Sequence, residues 1–203
     1  YASEELRNNQ QIVIEAIKKK GLSLAYASEE LRNNPDFIMK AVKENGLALA
    51  WASEDLKNNP NIVIEAIKND AFALKLAGEE IINNPEVVMV AVKEEGAFML
   101  KYASEKLLND PKFMLEAIKE DEKAIEHANI NLFSDEYEFF LENLLQQNPT
   151  SVYLAVEIVR RNGTALEYVS EELRNNPKVV MRAVEQRGWA LQYASEELRN
   201  NPD

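Results

Sequence analysis

Residues 26–51 read YASEELRNNPDFIMKAVKENGLALAW, and this stretch decides the fold. Its first nine letters occur again at positions 1–9 and 193–201. Diverged copies begin at Trp51, Leu76, Tyr102 and Tyr168. The alanines at the start of the first four copies, Ala2, Ala27, Ala52 and Ala77, are 25 residues apart. A fixed period of this length is typical of a solenoid, in which each repeat is too small to bury its own apolar face and is stabilised by its neighbours.

Proline and glycine mark where the main helix of each repeat begins and ends. An Asn or Asp precedes every proline, and Pro at the first helical position after such an N-cap is a common helix start, because the side chain satisfies free amides and Pro has none. The prolines are Pro35, Pro60, Pro85, Pro111, Pro149, Pro177 and Pro202. Four glycines lie 11 to 14 residues after these prolines, and Gly21 holds the same place in the first copy, which has Gln10 instead of proline. We expect each of the five to end its helix in the left-handed conformation. They are Gly21, Gly46, Gly96, Gly163 and Gly188.

Apolar residues between these marks recur at helical spacing, as Phe37, Ile38, Ala41 and Val42 do in the second copy. One column holds alanine in every copy, and we expect neighbouring helices to approach most closely there: Ala16, Ala41, Ala66, Ala91, Ala117, Ala155 and Ala183. A second column is predicted to be core: Leu6, Leu31, Leu56, Ile81, Leu107, Leu173 and Leu198. A second helical element and a serine-capped turn, such as residues 54–57, follow each glycine position. The sequence leaves open whether they form one helix or two.

These patterns predict an all-α fold, an α-solenoid of about eight stacked 25-residue helical-hairpin repeats with one irregular insert. The period breaks once, because Ala128 and Val169 are 41 residues apart. We expect a regular array over residues 1–127, an irregular repeat with an inserted amphipathic helix over 128–168, and regular repeats over 169–203, the last one truncated, in one continuous solenoid. Tyr1 is not an initiator methionine and the final residues copy a helix start, so we expect a piece of a longer protein.

The pattern Tyr-Ala-Ser-Glu-Glu-Leu-Arg-Asn-Asn-Pro, followed by apolar pairs, Ala-Val-Lys and Gly, resembles the tandem repeat known as domain of unknown function 4116. The resemblance spans about four fifths of the chain, and the stretch from about residue 128 to residue 147 departs from it. It implies a helical repeat architecture, and it implies neither catalytic residues nor a cofactor.

Composition excludes several classes of function. The 203 residues include 35 acidic and 23 basic ones, a formal net charge of -12, with one histidine and no cysteine. An acidic chain repels the nucleic-acid backbone and anionic membranes, which argues against nucleic acid as a partner. Without cysteine there are no disulfides, thiolate nucleophiles or cysteine metal ligands. No apolar run reaches the length of a membrane helix, so we expect no membrane insertion. Together with the lack of cysteine and of a signal peptide, this predicts a cytoplasmic, intracellular location.

Two patterns resemble catalytic groups, and both have a structural interpretation. His127 occupies the position that an aromatic residue holds in other copies, such as Tyr26 and Trp51, which indicates a packing role. Adjacent acidic residues recur in almost every copy, as at Glu29-Glu30, whereas acid–base catalysis uses one pair in a cleft. Acidic residues in a first turn favour the helix N-terminus, with a basic residue of the same copy as partner. We therefore predict no catalytic, metal or cofactor site, and no enzymatic activity.

Two surfaces are candidates for a partner. The first is a basic stripe of five lysines at one repeat position: Lys18, Lys43, Lys68, Lys93 and Lys119. It is either a solvated face neutralised by nearby glutamates or a binding site for an acidic segment. The second lies at the insert, where apolar residues replace the Arg or Lys of other copies and an aromatic-rich helix follows: Ile82, Leu108, Tyr137, Phe139, Phe140 and Leu144. Either the insert helix or a partner protein covers these residues.

The functional hypothesis is a non-enzymatic protein-interaction scaffold or spacer, whose partners are other proteins or other parts of the same longer chain. The alternative is a docking or regulatory segment of a larger enzyme whose catalytic domain lies outside these residues.

Overall fold

A computed structural model describes residues 2–128 and 138–200, except the side chains of residues 138–140. Every regular element of these residues is helical, and a regular repeat contains three elements in a fixed order. A turn helix of 4 residues is followed by a long helix of 10 or 11 residues and then by a 3-10 helix of 6 residues. The described residues contain no strand, and the fold is an all-α repeat solenoid, as the sequence predicts.

The bounds of the elements follow the repeat. The turn helices are Glu4–Arg7, Glu29–Arg32, Glu54–Lys57, Glu79–Ile82, Glu105–Leu108, Glu171–Arg174 and Glu196–Arg199. The long helices are Gln10–Lys19, Pro35–Glu44, Pro60–Asn69, Pro85–Glu95, Pro111–Glu120, Val152–Arg161 and Pro177–Gln186. The 3-10 helices are Gly21–Tyr26, Gly46–Trp51, Ala71–Leu76, Ala97–Tyr102, Glu122–His127, Gly163–Tyr168 and Gly188–Tyr193. The insert helix is Glu138–Gln147.

The chain divides into two compact units, Tyr1–Leu107 and Leu108–Asp203. Unit 1 contains the first four complete repeats, and unit 2 contains the insert helix and the later repeats. The sequence-based division at residues 127 and 168, and the continuity of the array, stay predictions.

Asparagine and proline start the long helices in the predicted way. In the second repeat the Oδ1 of Asn34 accepts the N–H of Phe37 (3.0 Å), and Pro35 is the first helical residue. The prediction for Pro149 is wrong, because the helix after it begins at Val152. There Ser151 is the N-cap and accepts the N–H of Leu154 (3.1 Å), which moves the start past the proline.

In most repeats a serine joins the turn helix to the repeat before it, as Ser28 does in the second. The Ser28 hydroxyl accepts the N–H of Leu31 (3.2 Å) and donates to Oδ1 of Asn8 in the first repeat (2.5 Å). The backbone N–H of Ser28 donates to the carbonyl of Arg7 (2.9 Å). Since this cap ends the 3-10 helix and begins a new α-helix, the second half of a repeat consists of two helices. The structure thereby answers the question that the sequence left open.

The core lies between neighbouring repeats. Within unit 1, each long helix packs against the long helix of the next repeat, and each 3-10 helix packs against the next 3-10 helix. From Ala41 to Ala183 the alanine column is fully buried. In the leucine column the predicted burial is confirmed from Leu31, which is 3% exposed, to Leu173, whereas Leu6 in the first repeat is 45% exposed.

Glycine serves mainly for close approach, so the predicted left-handed helix ends are wrong at four of the five glycines. Of the glycines in the described residues, Gly96 alone has a positive φ, 83°. At Gly46 an added Cβ would lie 2.3 Å from the carbonyl oxygen of Ala66 in the next long helix. The Gly46 N–H also donates to Oδ1 of Asn69 (2.7 Å), whose Nδ2 donates to the carbonyl of Lys43 (2.9 Å). Gly46 therefore allows the end of one long helix to cap the one before it.

Truncation of the leucine column is expected to cost more inside the array than at its start. Leu56→Ala removes a buried side chain and should lower the free energy of unfolding by about 2–5 kcal/mol. Leu6→Ala, the matched control at an exposed position, should cost about 0.5 kcal/mol. Urea titration followed by circular dichroism measures both. Equal losses for the two variants would contradict the burial of this column.

Alanine substitutions at two glycines are expected to have opposite effects. Gly46→Ala places a Cβ against the backbone of the next repeat and should destabilise the chain by about 1–3 kcal/mol. An added Cβ at Gly188 has no atom within 4 Å, so Gly188→Ala should stabilise by about 0.4–1 kcal/mol through the unfolded state. The same titration decides, and a stabilising Gly46→Ala would show that the approach is not tight.

Candidate protein-binding surface

All five lysines of the predicted basic stripe are exposed, four in unit 1 and Lys119 in unit 2. In the first repeat the Nζ of Lys18 lies 2.7 Å from the Oε1 of Glu15. This hydrogen bond, reinforced by the opposite charges, raises the pKa of Lys18 above its usual value and lowers that of Glu15. In this repeat the geometry favours a solvated and neutralised face over a free cation.

The structure describes the side chains of three residues of the surface predicted at the insert, and they differ in burial. Ile82 lies in unit 1 and Leu108 in unit 2, and both are half-buried. Leu144 is fully buried in unit 2. Tyr137 lies outside the described residues, and so do the side chains of Phe139 and Phe140. Leu141 and Leu145 are buried beside Leu144, and their helix packs against the 3-10 helix at residues 163–168. This part of the apolar face therefore belongs to the core of unit 2, while a partner at Ile82 and Leu108 stays a prediction.

The residues that resemble catalytic groups have structural surroundings. His127 is half-buried, and burial lowers its pKa, an effect that Glu126 and Asp121 oppose by their negative charges. Acidic residues of the turn helices pair with the basic residue of the same turn, as in Lys57–Glu54 at 2.8 Å and Arg174–Glu171 at 3.0 Å. Among the described residues, no three His, Cys, Asp or Glu side chains are grouped to hold a metal ion. None of the described helices is long and apolar enough to cross a membrane.

A surface that the sequence analysis missed lies on the 3-10 helices of unit 1. Side chains three residues apart eclipse in a 3-10 helix, so the second and fifth residues share one edge. The second residues of the four helices are Leu22, Leu47, Phe72 and Phe98. The fifth residues are Ala25, Ala50, Lys75 and Lys101. We call these eight residues the 3-10 face. Its large apolar side chains are unusually accessible, with Leu22 45%, Phe72 43% and Phe98 52% exposed.

Side-chain contacts join the 3-10 face of the third repeat to that of the fourth. The rings of Phe72 and Phe98 meet edge to face, with centroids 6.3 Å apart and an angle of 65° between their planes. The Nζ of Lys101 lies 3.4 Å from the centroid of Phe98 and 4.7 Å from that of Tyr102. The third and fourth repeats thus present two phenylalanines and an ammonium group in one cluster.

The equivalent positions of unit 2 are mostly polar. The second residues there are Lys123, Thr164 and Trp189, and the fifth residues are Glu126, Glu167 and Gln192. Because these repeats adopt the same three-element structure, folding does not require apolar residues on this edge. Comparison of the two columns between copies would have revealed the face. The sequence predicted only a second helical element after each glycine, without its helix type, and the shared edge of the second and fifth residues follows from the 3-10 period of about 3.0.

Two further exposed aromatic residues lie at the ends of 3-10 helices of unit 1. Tyr26 and Trp51 end the first two 3-10 helices, and both are exposed to solvent. The interpretation of this position as an aromatic packing site therefore does not hold in the first two repeats. Aromatic side chains at a surface bind partners well, since they bury a large area and lose little conformational freedom.

A sequence model of the family described as Domain of unknown function (DUF4116) matches the chain five times, at residues 1–32, 34–82, 59–108, 84–133 and 153–199. The matches cover most of the chain and follow the tandem repeats. No curated protein and no solved structure matches the chain.

The surroundings of His127 lead to a pH-dependence. Its pKa is lowered in the folded chain, so below about pH 6.5 the unfolded chain binds more protons and folding loses stability. His127→Tyr replaces the histidine by a residue that does not titrate at about pH 6.5 and that other repeats have at the same position, as at Tyr102 and Tyr168. We expect the melting temperature of the unchanged chain to fall relative to that of the variant between about pH 7.5 and pH 5.5. Melting temperatures of the two proteins that change equally with pH over this range would contradict the lowered pKa of His127.

Proposed function

The chain belongs to the DUF4116 family, and we propose that it is a non-enzymatic protein-interaction scaffold, built from tandem helical repeats, that binds partner proteins on the 3-10 face of unit 1. The observation that carries this proposal is the exposure of Leu22, Phe72 and Phe98 at the same position of 3-10 helices that pack in succession, with Phe72 and Phe98 in contact, whereas the counterparts in unit 2 are mostly polar. A contiguous exposed apolar patch generally marks an interface.

Burial of this row supplies the binding energy. Complete burial of an exposed Leu or Phe side chain contributes about 1.5–3 kcal/mol. Because Leu22, Phe72 and Phe98 are already about half buried, the three together contribute about 2–4 kcal/mol of the roughly 8 kcal/mol of a micromolar affinity. Phe72 and Phe98 already restrict each other by their edge contact, and ordering them on binding costs little entropy. The two rings are therefore the anchors of the proposed interface.

The carboxylates support a scaffold rather than a catalyst. They recur in the first turn of the turn helices, where negative charge stabilises the helix N-terminus. Glu54 and Glu171 are each held by a basic residue three positions later. This repetition fits a structural role in each repeat.

Selection from a displayed library of random peptides tests the proposal. The immobilised chain should enrich peptides. Phe72→Thr/Phe98→Thr should not, because it removes both aromatic anchors. Threonine is a suitable replacement, since it occupies this column at position 164 in unit 2. Trp189→Thr is the matched control: it removes an equally exposed aromatic residue from the same column of unit 2 and should leave the enrichment unchanged.

Thermal and urea unfolding of the three proteins accompany the selection. The variants should unfold within about 0.5 kcal/mol of the unchanged chain, as exposed substitutions usually do. Equal enrichment by the double phenylalanine variant would move the binding site elsewhere. A chain that enriches no peptide at all would contradict the proposed function.

A further inference from the structure

We propose that the partner is an acidic peptide segment with apolar side chains, whose carboxylates bind Lys75 and Lys101 while its apolar residues cover Leu22 and Leu47. This inference rests on the proposed function and names the chemistry of its ligand. It follows from the way in which charge and apolar surface are distributed along the 3-10 face.

The two lysines are the charged residues of the face. Both side chains are exposed, and among the described residues no carboxylate forms an ion pair with either one. The Lys101 ammonium is held over the Phe98 ring, so it is already positioned beside an apolar anchor. Asp70 precedes the same cluster, but its Oδ1 accepts the N–H of Phe72 (2.9 Å) and serves as a helix cap. A carboxylate from outside therefore meets two cations without an internal competitor.

The face changes along its length, which gives the ligand a direction. In the first two repeats the fifth positions are Ala25 and Ala50, beside leucines. In the next two repeats lysines take these positions, beside Phe72 and Phe98. A segment that lies along the face meets aliphatic surface at one end and cation–aromatic pairs at the other. Its apolar residues and its carboxylates are accordingly expected in separate clusters.

Charge favours an acidic peptide over a nucleic acid. A nucleic-acid strand carries one phosphate per nucleotide and needs cations along its whole path, whereas this face has cations in two of its four repeats. The net charge of -12 opposes a long polyanion as a whole, since most of its charge would lie beside acidic surface. A short segment with a few carboxylates avoids this repulsion.

The test compares peptides selected on the unchanged chain with those selected on Lys75→Glu/Lys101→Glu. The unchanged chain should enrich peptides in which aspartate or glutamate accompanies aliphatic or aromatic residues. A synthetic, fluorescently labelled peptide of this kind should bind the charge-reversed variant about tenfold more weakly, by fluorescence anisotropy. Its counterpart with asparagine and glutamine should bind both proteins weakly and equally.

Lys19→Glu/Lys40→Glu is the matched control. It changes the net charge of the same unit by the same amount at two exposed lysines of the long helices that lie outside the basic stripe, and it should keep the affinity of the unchanged chain. Melting curves of both variants confirm that they are folded. Binding of a labelled oligouridine is measured in parallel. If the oligouridine binds more tightly than the peptide, and its binding depends on Phe72 and Phe98, the proposal is overturned in favour of a nucleic acid.

The two proposals fail in different ways. Enriched peptides that are neutral or basic, or acidic peptides that bind the two lysine variants equally, would overturn the acidic ligand. The scaffold function would still stand if Phe72→Thr/Phe98→Thr abolishes their binding. The acidic ligand is supported if only the charge-reversed variant loses binding of the acidic peptide. A counterpart peptide with lysines in place of the acidic residues should then bind this variant.

Discussion

A repeat of this chain cannot bury its apolar face by itself, and this constraint determines the rest of the structure. The same leucine position is 45% exposed in Leu6 of the first repeat and 3% exposed in Leu31 one repeat later, which packs on the first. Stability therefore comes from the interfaces between repeats. Those interfaces are ordered by hydrogen bonds as well as by packing, since the N–H of Ser28 reaches the carbonyl of Arg7 and its hydroxyl reaches Asn8. One serine thus begins a helix and fixes the register of two repeats.

Stacking also decides which residues are free to acquire a function. In inner repeats the alanine column of the long helices and the leucine column of the turn helices are buried, and those positions are constrained by packing. The second and fifth positions of the 3-10 helices lie outside these contacts, so their chemistry can vary without loss of the fold. They are apolar or basic in unit 1, as at Phe98 and Lys101, and polar in most of unit 2, as at Thr164 and Glu167.

How far the sequence predicts the structure depends on how local each signal is. Helix starts at Asn34-Pro35 and the buried columns follow from one capping bond and one period, and both are confirmed. The role of Gly46 was not accessible, because it depends on the carbonyl of Ala66 in another repeat. The start near Pro149 was predicted three residues early, since Ser151 competes for the cap. The 3-10 face was not predicted, because its edge becomes visible only with a 3-10 period.

The irregular repeat shows what happens when these variable positions are used inside the chain. Glu122 begins the fifth 3-10 helix, and its Oε2 accepts the hydroxyl of Ser151 (2.8 Å) at the start of the next long helix. One turn later, Oε1 of Glu126 accepts the hydroxyl of Tyr153 (2.5 Å). Glu126 is thus a fifth-position residue that holds the displaced helix start instead of facing a partner. The equivalent Lys101 has no such internal ligand among the described residues, and its ammonium remains exposed over an aromatic ring. The fifth position of the 3-10 helix therefore forms an internal hydrogen bond at Glu126 in unit 2, whereas in our proposal it binds the partner at Lys101 in unit 1.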